Sequence, residues 1–155
     1  MEGARLKPGN GEEKTMKIRF RLDEGAIRPT KAHEMDAGFD LYSREQKRVT
    51  DCGNSAVFDT GVHVEIPKGY VGYILGRSGL NTNFGVICPT GVVDAGYTGS
   101  IKVKLYNSGE FPYTIREGER IAQLVIQPIA DCKLVEADTL EDSERGSDGF
   151  GSTGR

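Results

Sequence analysis

A two-residue rhythm constrains this chain more than any other feature. Met16, Ile18, Phe20 and Leu22 alternate with Lys17, Arg19 and Arg21. Val62, Val64 and Ile66 alternate with His63 and Glu65, and Ile101, Val103 and Leu105 with Lys102, Lys104 and Tyr106. Successive side chains of an extended strand point to opposite faces, so each run reads as a half-buried strand. No segment sustains a helical period. Turn signals such as Pro67-Lys68-Gly69 recur every several residues, and the 155 residues include 21 glycines against six prolines. Such a pattern predicts an all-β, jelly-roll-like barrel or sandwich of short strands.

Further strands are expected around Arg48–Thr50, Ala56–Phe58, Tyr70–Leu75 and Ile121–Gln127, with a last short one over Cys132–Val135. In Phe39-Asp40-Leu41-Tyr42, Phe39 and Leu41 are expected inward and Asp40 and Tyr42 outward. Leu80 to Phe84 fits a single helical turn with Ser78 near its start. Phe84 to Cys88 and Gly91 to Asp94 read as two arms of a hairpin around Pro89-Thr90. One domain over residues 16–142 is expected, between a polar N-terminal tail (1–15) and a glycine-rich C-terminal arm (143–155).

Composition narrows the partners. Lys and Arg total 20 against 23 Asp and Glu, a net charge of −3, and no basic stripe favours nucleic acid. Any polyanion bound is expected to be small. Cys52, Cys88 and Cys132 are an odd number at wide spacing with no CxxC, which suggests buried thiols in a reducing compartment. No apolar run has the length of a membrane span, and the first residues carry no secretory signature. The expected location is the cytoplasm.

Five stretches carry candidate chemistry, each with a plainer alternative. In Gly91-Val92-Val93-Asp94-Ala95-Gly96-Tyr97-Thr98-Gly99, an acid and a ring share one bend. They can hold water and a ring-shaped substrate, or merely face solvent. Arg77-Ser78-Gly79 brings guanidinium, hydroxyl and backbone donors to a strand end, as phosphate ligands or as an ordinary turn. Asp36 and Asp40 suit a hydrated divalent cation, but Asp36 equally suits a turn. Gln123 interrupts an apolar strand and needs a partner or a sheet edge. The arm Arg145-Gly146-Ser147-Asp148-Gly149-Phe150-Gly151-Ser152-Thr153-Gly154 cannot build a core. It is either a frayed end or an anion-binding nest with one ring free to stack. His33 and His63 read as structural, and no nucleophile pair suggests covalent catalysis.

Taken in order, these stretches resemble the trimeric deoxyuridine triphosphate nucleotidohydrolases (dUTPases). The resemblance runs through Asp36-Ala37-Gly38-Phe39-Asp40-Leu41-Tyr42-Ser43, Arg77-Ser78-Gly79-Leu80, the Gly91–Gly99 stretch, Gly118-Glu119-Arg120-Ile121-Ala122-Gln123-Leu124 and the glycine-rich arm. It spans roughly residues 16–154. It implies a homotrimer that cleaves dUTP to dUMP and pyrophosphate with Mg²⁺, limiting uracil incorporation into DNA and supplying dUMP for dTMP synthesis. In the family each active site draws on three chains. One gives the first, second and fourth motifs, another the third, and the last its arm.

By matching position, the resemblance gives Asp94 the 3′-hydroxyl and the attacking water. Tyr97 would pack on the deoxyribose and exclude a 2′-hydroxyl, while the backbone from about Cys88 to Val93 would read uracil. Arg77, Ser78, Gly79 and Gln123 would serve the phosphates. Asp40, with Asp36 in support, would hold waters of Mg²⁺. Phe150 would stack on uracil, while Arg145, Gly151, Ser152 and Thr153 close on the β- and γ-phosphates. An ordinary aspartate is too weak a base at neutral pH to deprotonate water outright, so orienting and polarising it is the expected contribution.

Two positions depart from the family pattern. Cys88 stands where many relatives have Asn, and Asp148 stands where glycine is common. The nearest rival, dCTP deaminase, needs a general base near the exocyclic amine, usually a glutamate in the third motif. No Glu lies between Gly85 and Gly99. A non-catalytic β module would need none of Asp94, Tyr97 and the arm together.

Overall fold

Short alternating runs can hide their apolar sides only by pairing with one another, and the computed structural model, which describes residues 15–49, 53–143 and 146, shows how they do so. Among these residues eleven strands form, in chain order. They are β1 (Arg19–Leu22), β2 (Phe39–Tyr42), β3 (Lys47–Val49), β4 (Ser55–Asp59), β5 (Val62–Glu65) and β6 (Tyr70–Leu75), then, after helix α1 (Ser78–Phe84), β7 (Val86–Ile87), β8 (Gly91–Val93), β9 (Lys102–Asn107), β10 (Tyr113–Ile115) and β11 (Arg120–Pro128). Every pairing is antiparallel. The largest sheet runs β2-β11-β6-β8, a second runs β4-β9-β7, and β1-β5 and β3-β10 form two-stranded ribbons. This is the small all-β, jelly-roll-like architecture that the alternation predicts. No helix of the described residues is long and apolar enough to cross a membrane.

One continuous core joins the sheets. Leu41, Val49, Phe58, Val62, Leu105, Ile115, Ile121 and Ala122 are completely buried, with Val103, Ile74, Leu124 and Val93 packed beside them. Each such side chain gains on the order of 1.5–3 kcal/mol by leaving water. Buried polar groups are answered: Thr60 Oγ1 donates to the Ile101 carbonyl at 2.8 Å, and Asn107 Nδ2 to that of Phe111 at 2.8 Å. Among the described residues, no buried side-chain nitrogen or oxygen lacks a partner.

Several expectations need correction. The segments at Phe84–Cys88 and Gly91–Asp94 do not pair with each other: β7 joins β9, and β8 joins β6. Each finds a six-residue partner, while Pro89 between them has no N–H to offer a hairpin ladder. No strand forms over Cys132–Val135; Leu134, Val135 and Cys132 are exposed, because no strand edge in the described chain receives them. Cys132 is therefore not a buried thiol, Cys88 is half-buried, and Cys52 lies outside the described residues. The first strand begins at Arg19 rather than Met16. Its register opposite β5 would next bring Lys17 to Pro67, which cannot donate. Phe39, expected inward, is partly exposed at the edge strand β2 with Lys31 Nζ 5.0 Å above its ring. It lines an open apolar cavity of about 370 Å³ with Met16, Ile18, Phe20, Leu124 and Ile126.

Candidate functional site

Asp40, Arg77 and Gln123 are far apart in sequence, and sheet register brings them together. Asp40 on β2 lies opposite Gln123 on β11, and Gln123 lies opposite Leu75, the last residue of β6. Two residues beyond that strand end comes Arg77, and Ser78 opens α1. Together with Ala32, Asp36, Ala37, Gly38 and Arg120, these side chains line a polar cavity of about 220 Å³. Asp36, Asp40, Arg77, Ser78 and Gln123 thus meet in one place.

Ion pairs set the geometry of this cavity. Arg77 donates to one Asp40 oxygen at 2.7 Å, and Arg120 to the other at 3.3 Å. The Asp40 side chain is only 15% exposed, so this pairing offsets a real loss of hydration. A guanidinium has five N–H donors, and a single bond to Asp40 leaves capacity for an anion. Gln123 Nε2 donates to the Gly76 carbonyl at 3.2 Å, which answers the polar residue in an apolar strand. Gly38 is required for space: a Cβ there would fall 2.9 Å from Gln123 Oε1 and 3.1 Å from Val125 Cγ2.

Arg120 was not singled out from the sequence. Three positions separate it from Gln123, which on a regular strand puts the two on opposite faces. A bulge between Arg120 and Ala122 breaks that parity and turns both toward the cavity. Only its place in the fourth motif hints at a role.

The donor set defines what cation fits. Asp36 accepts from the His33 backbone N–H at 2.8 Å, the turn that its position allows. No group of three His, Cys, Asp or Glu side chains converges among the described residues. Two carboxylates, one already paired, suit a hydrated Mg²⁺ arriving on a polyphosphate and held through water, not a protein cage.

The third motif lies elsewhere. Val93 ends β8 buried, whereas Asp94 is exposed and Tyr97 is 46% exposed; neither lines the cavity. Asp94 and Tyr97 stand at the two ends of one turn, closed by Tyr97 N–H to the Asp94 carbonyl at 3.1 Å. Cys88 connects the halves, since a Cβ on Gly76 would meet its Cβ and carbonyl at 3.4 Å. Burial pushes its thiol up to about 11, so it stays protonated and donates to the Pro89 carbonyl at 3.4 Å. Arg145, Phe150, Gly151, Ser152 and Thr153 lie outside the described residues.

Small antiparallel sheets with a polar, arginine-lined cleft and, apart from it, an exposed Asp–Tyr turn define a compact all-β class. Within it, the dUTPase family model matches residues 24–154, and the chain belongs to that family. Deoxyuridine 5′-triphosphate nucleotidohydrolases from Clostridium tetani and Candida albicans are 42% and 41% identical to it. They cover 92% and 91% of this chain, which covers 99% and 89% of theirs. The dUTPase of Staphylococcus bacteriophage 80alpha, solved with dUpNHpp, superposes with a TM-score of 0.85 at 34% identity, over 91% of this chain and 100% of the phage chain. A variant dUTPase of phage phi11 of S. aureus, described with a structural Mg(II) ion, gives 0.76 at 30% identity, over 82% of this chain and all of that one.

Proposed function

We propose that this protein hydrolyses dUTP to dUMP and pyrophosphate by attack of water on the α-phosphorus, acting on free nucleotides in the cytoplasm. The convergence of three separated motifs in one polar cavity of about 220 Å³ carries this reading. The dUpNHpp-bound phage relative supports the substrate class. Arg77, Ser78, Gly79 and Gln123 hold phosphate oxygens. Arg77 and Arg120 also keep Asp40 fixed, so that the cavity does not collapse or reorient as the anion enters. Asp94 accepts a hydrogen bond from the attacking water and from the 3′-hydroxyl, orienting the water in line with the leaving pyrophosphate. Tyr97 packs on the sugar face and leaves no room for a 2′-hydroxyl. Backbone from Cys88 to Val93 reads the uracil edge, where the protonated Cys88, its thiol already donating to the Pro89 carbonyl, contributes shape rather than a donor.

Asp40 and Asp36 would hold Mg²⁺ through its waters, the mode that two carboxylates without a protein cage suit. The ion would neutralise charge on the triphosphate. Because Asp94 and Tyr97 lie outside the phosphate cavity, a complete site combines one chain's cavity with a second chain's turn. The arm from residue 143 onward, with Arg145, Phe150, Gly151, Ser152 and Thr153, closes it from a third. The homotrimer that the family resemblance implies would supply these three contributions. The product then feeds dTMP synthesis, and removal of dUTP limits uracil in DNA.

Incubating the pure protein with dUTP, dCTP or UTP, with and without Mg²⁺, tests the reading. Pyrophosphate from dUTP alone, increased by Mg²⁺ and without ammonia from dCTP, is the expected result. Ammonia from dCTP, or no pyrophosphate from dUTP, overturns it.

A further inference from the structure

The turn bearing Asp94 and Tyr97 is closed by hydrogen bonds within itself. Gly96 takes φ +90, which lets Tyr97 N–H reach the Asp94 carbonyl in a tight turn. Tyr97 Oη then donates to the Ser100 carbonyl at 3.1 Å, and its ring lies so close over Gly99 that no Cβ fits there. What fixes this unit to the body of the protein lies outside all five motifs. Ser100 Oγ donates to Asp59 Oδ1, a carboxylate that also accepts from Gly61 N–H at 3.0 Å and pairs with Arg44 at 3.3 Å. His63 Nδ1 meets the Thr98 carbonyl at 2.7 Å.

A carbonyl oxygen only accepts, so Nδ1 carries the proton in that bond. Arg21 donates to Nε2 from 2.9 Å when the ring is neutral, which fixes this tautomer. Asp23, 3.1 Å from the same nitrogen, accepts from it when the ring is charged. Either way the bond to Thr98 persists. The ring is 14% exposed, too enclosed to swing away.

We infer that His63 and the Asp59–Ser100 pair are positioning residues that hold the Tyr97 ring at the height needed to reject a 2′-hydroxyl; this rests on the role given to Tyr97 above. Sugar discrimination is sensitive to sub-ångström placement, because a hydroxyl is rejected only where the ring leaves no room for it. Losing either anchor lets the turn rise from the sheet while the phosphate cavity stays intact.

The test compares the full-length parent with His63→Phe, which keeps ring bulk but removes the donor, His63→Asn, whose amide nitrogen reproduces Nδ1, and Ser100→Ala. Two readouts are taken: the ratio of kcat/KM for dUTP to that for UTP, and amide hydrogen exchange of residues 95–101. His63→Phe and Ser100→Ala are each expected to narrow the ratio roughly tenfold and accelerate exchange there by a similar factor, while strand β6 exchanges as before. His63→Asn should return both readouts toward the parent. An unchanged ratio and unchanged exchange in both His63→Phe and Ser100→Ala would overturn the inference. If His63→Phe fails to fold, Ser100→Ala decides alone. A parent that turns over no dUTP refutes the functional reading instead, and the exchange data still decide the anchor.

Discussion

The polar cavity around Asp40 and Arg77 and the Asp94–Tyr97 turn are built on opposite plans. The cavity gathers ends of β2, β6 and β11 and the start of α1, and its charges are cross-bonded before any ligand arrives. The turn is fastened from beneath, through Thr98, Ser100 and Ile101, and its two chemical side chains are exposed. On the proposed reading, one half is assembled within a single chain. The other would present its chemistry to a neighbouring chain.

The largest effect expected from this contrast is at the turn. Asp94→Asn should lower kcat by on the order of 10²–10⁴-fold while dUTP binding, measured by calorimetry, changes little. Unchanged turnover would remove the turn from the chemistry. Deleting residues 146–155 should cut hydrolysis at least about tenfold by losing closure over the phosphates, without moving the thermal midpoint. Full activity in the truncated protein would mean that the arm closes nothing.

The cavity should respond differently. Gly38→Ala forces a methyl against Gln123 and Val125 and should cost about 1–3 kcal/mol in overpacking. Its kinetic signature should be a raised KM for dUTP, with the dUTP-to-UTP preference retained because the turn is untouched. Loss of that preference would show the two regions to be one unit.

The smallest effect concerns the turn's anchor in acid. The hydrogen bond from Ser100, with help from Gly61 and Arg44, holds the Asp59 carboxyl below its ordinary value near 3.8. A lowered carboxylate adds stability that is present above pH 3.8 and lost as pH falls through the lower folded value, because the unfolded chain takes up the proton first. Urea midpoints followed from pH 5 downward should therefore decline less steeply in Ser100→Ala than in the parent. Parallel declines would separate Asp59 from the anchor.

How much of this was legible in the sequence follows the same division between local and remote. Tyr70–Leu75 and Val62–Glu65 could be read because alternation and the Pro67-Lys68-Gly69 turn are local signals. Pairing was not, and so the supposed hairpin partners at Val86–Ile87 and Gly91–Val93 went to separate sheets. The three-residue β10, with Tyr113 opposite Val49, is too short to show a period. Cys132–Val135 has strand-like residues but no edge to join within the described chain. At the site, motif order pointed to Asp36, Asp40, Arg77, Ser78 and Gln123, which the cavity gathers. Arg120 needed a bulge, and His63 needed a carbonyl 35 residues away, neither of which a local pattern records.

Mixing two inactive variants tests the divided site most directly. Asp94→Asn and Arg77→Ala, unfolded together in equal amounts and refolded, should recover about a quarter of parental activity, because random assembly leaves that share of sites with an intact turn from one chain and an intact cavity from another. No recovery beyond the two variants measured separately would contradict the division and place both halves of the site in the same chain.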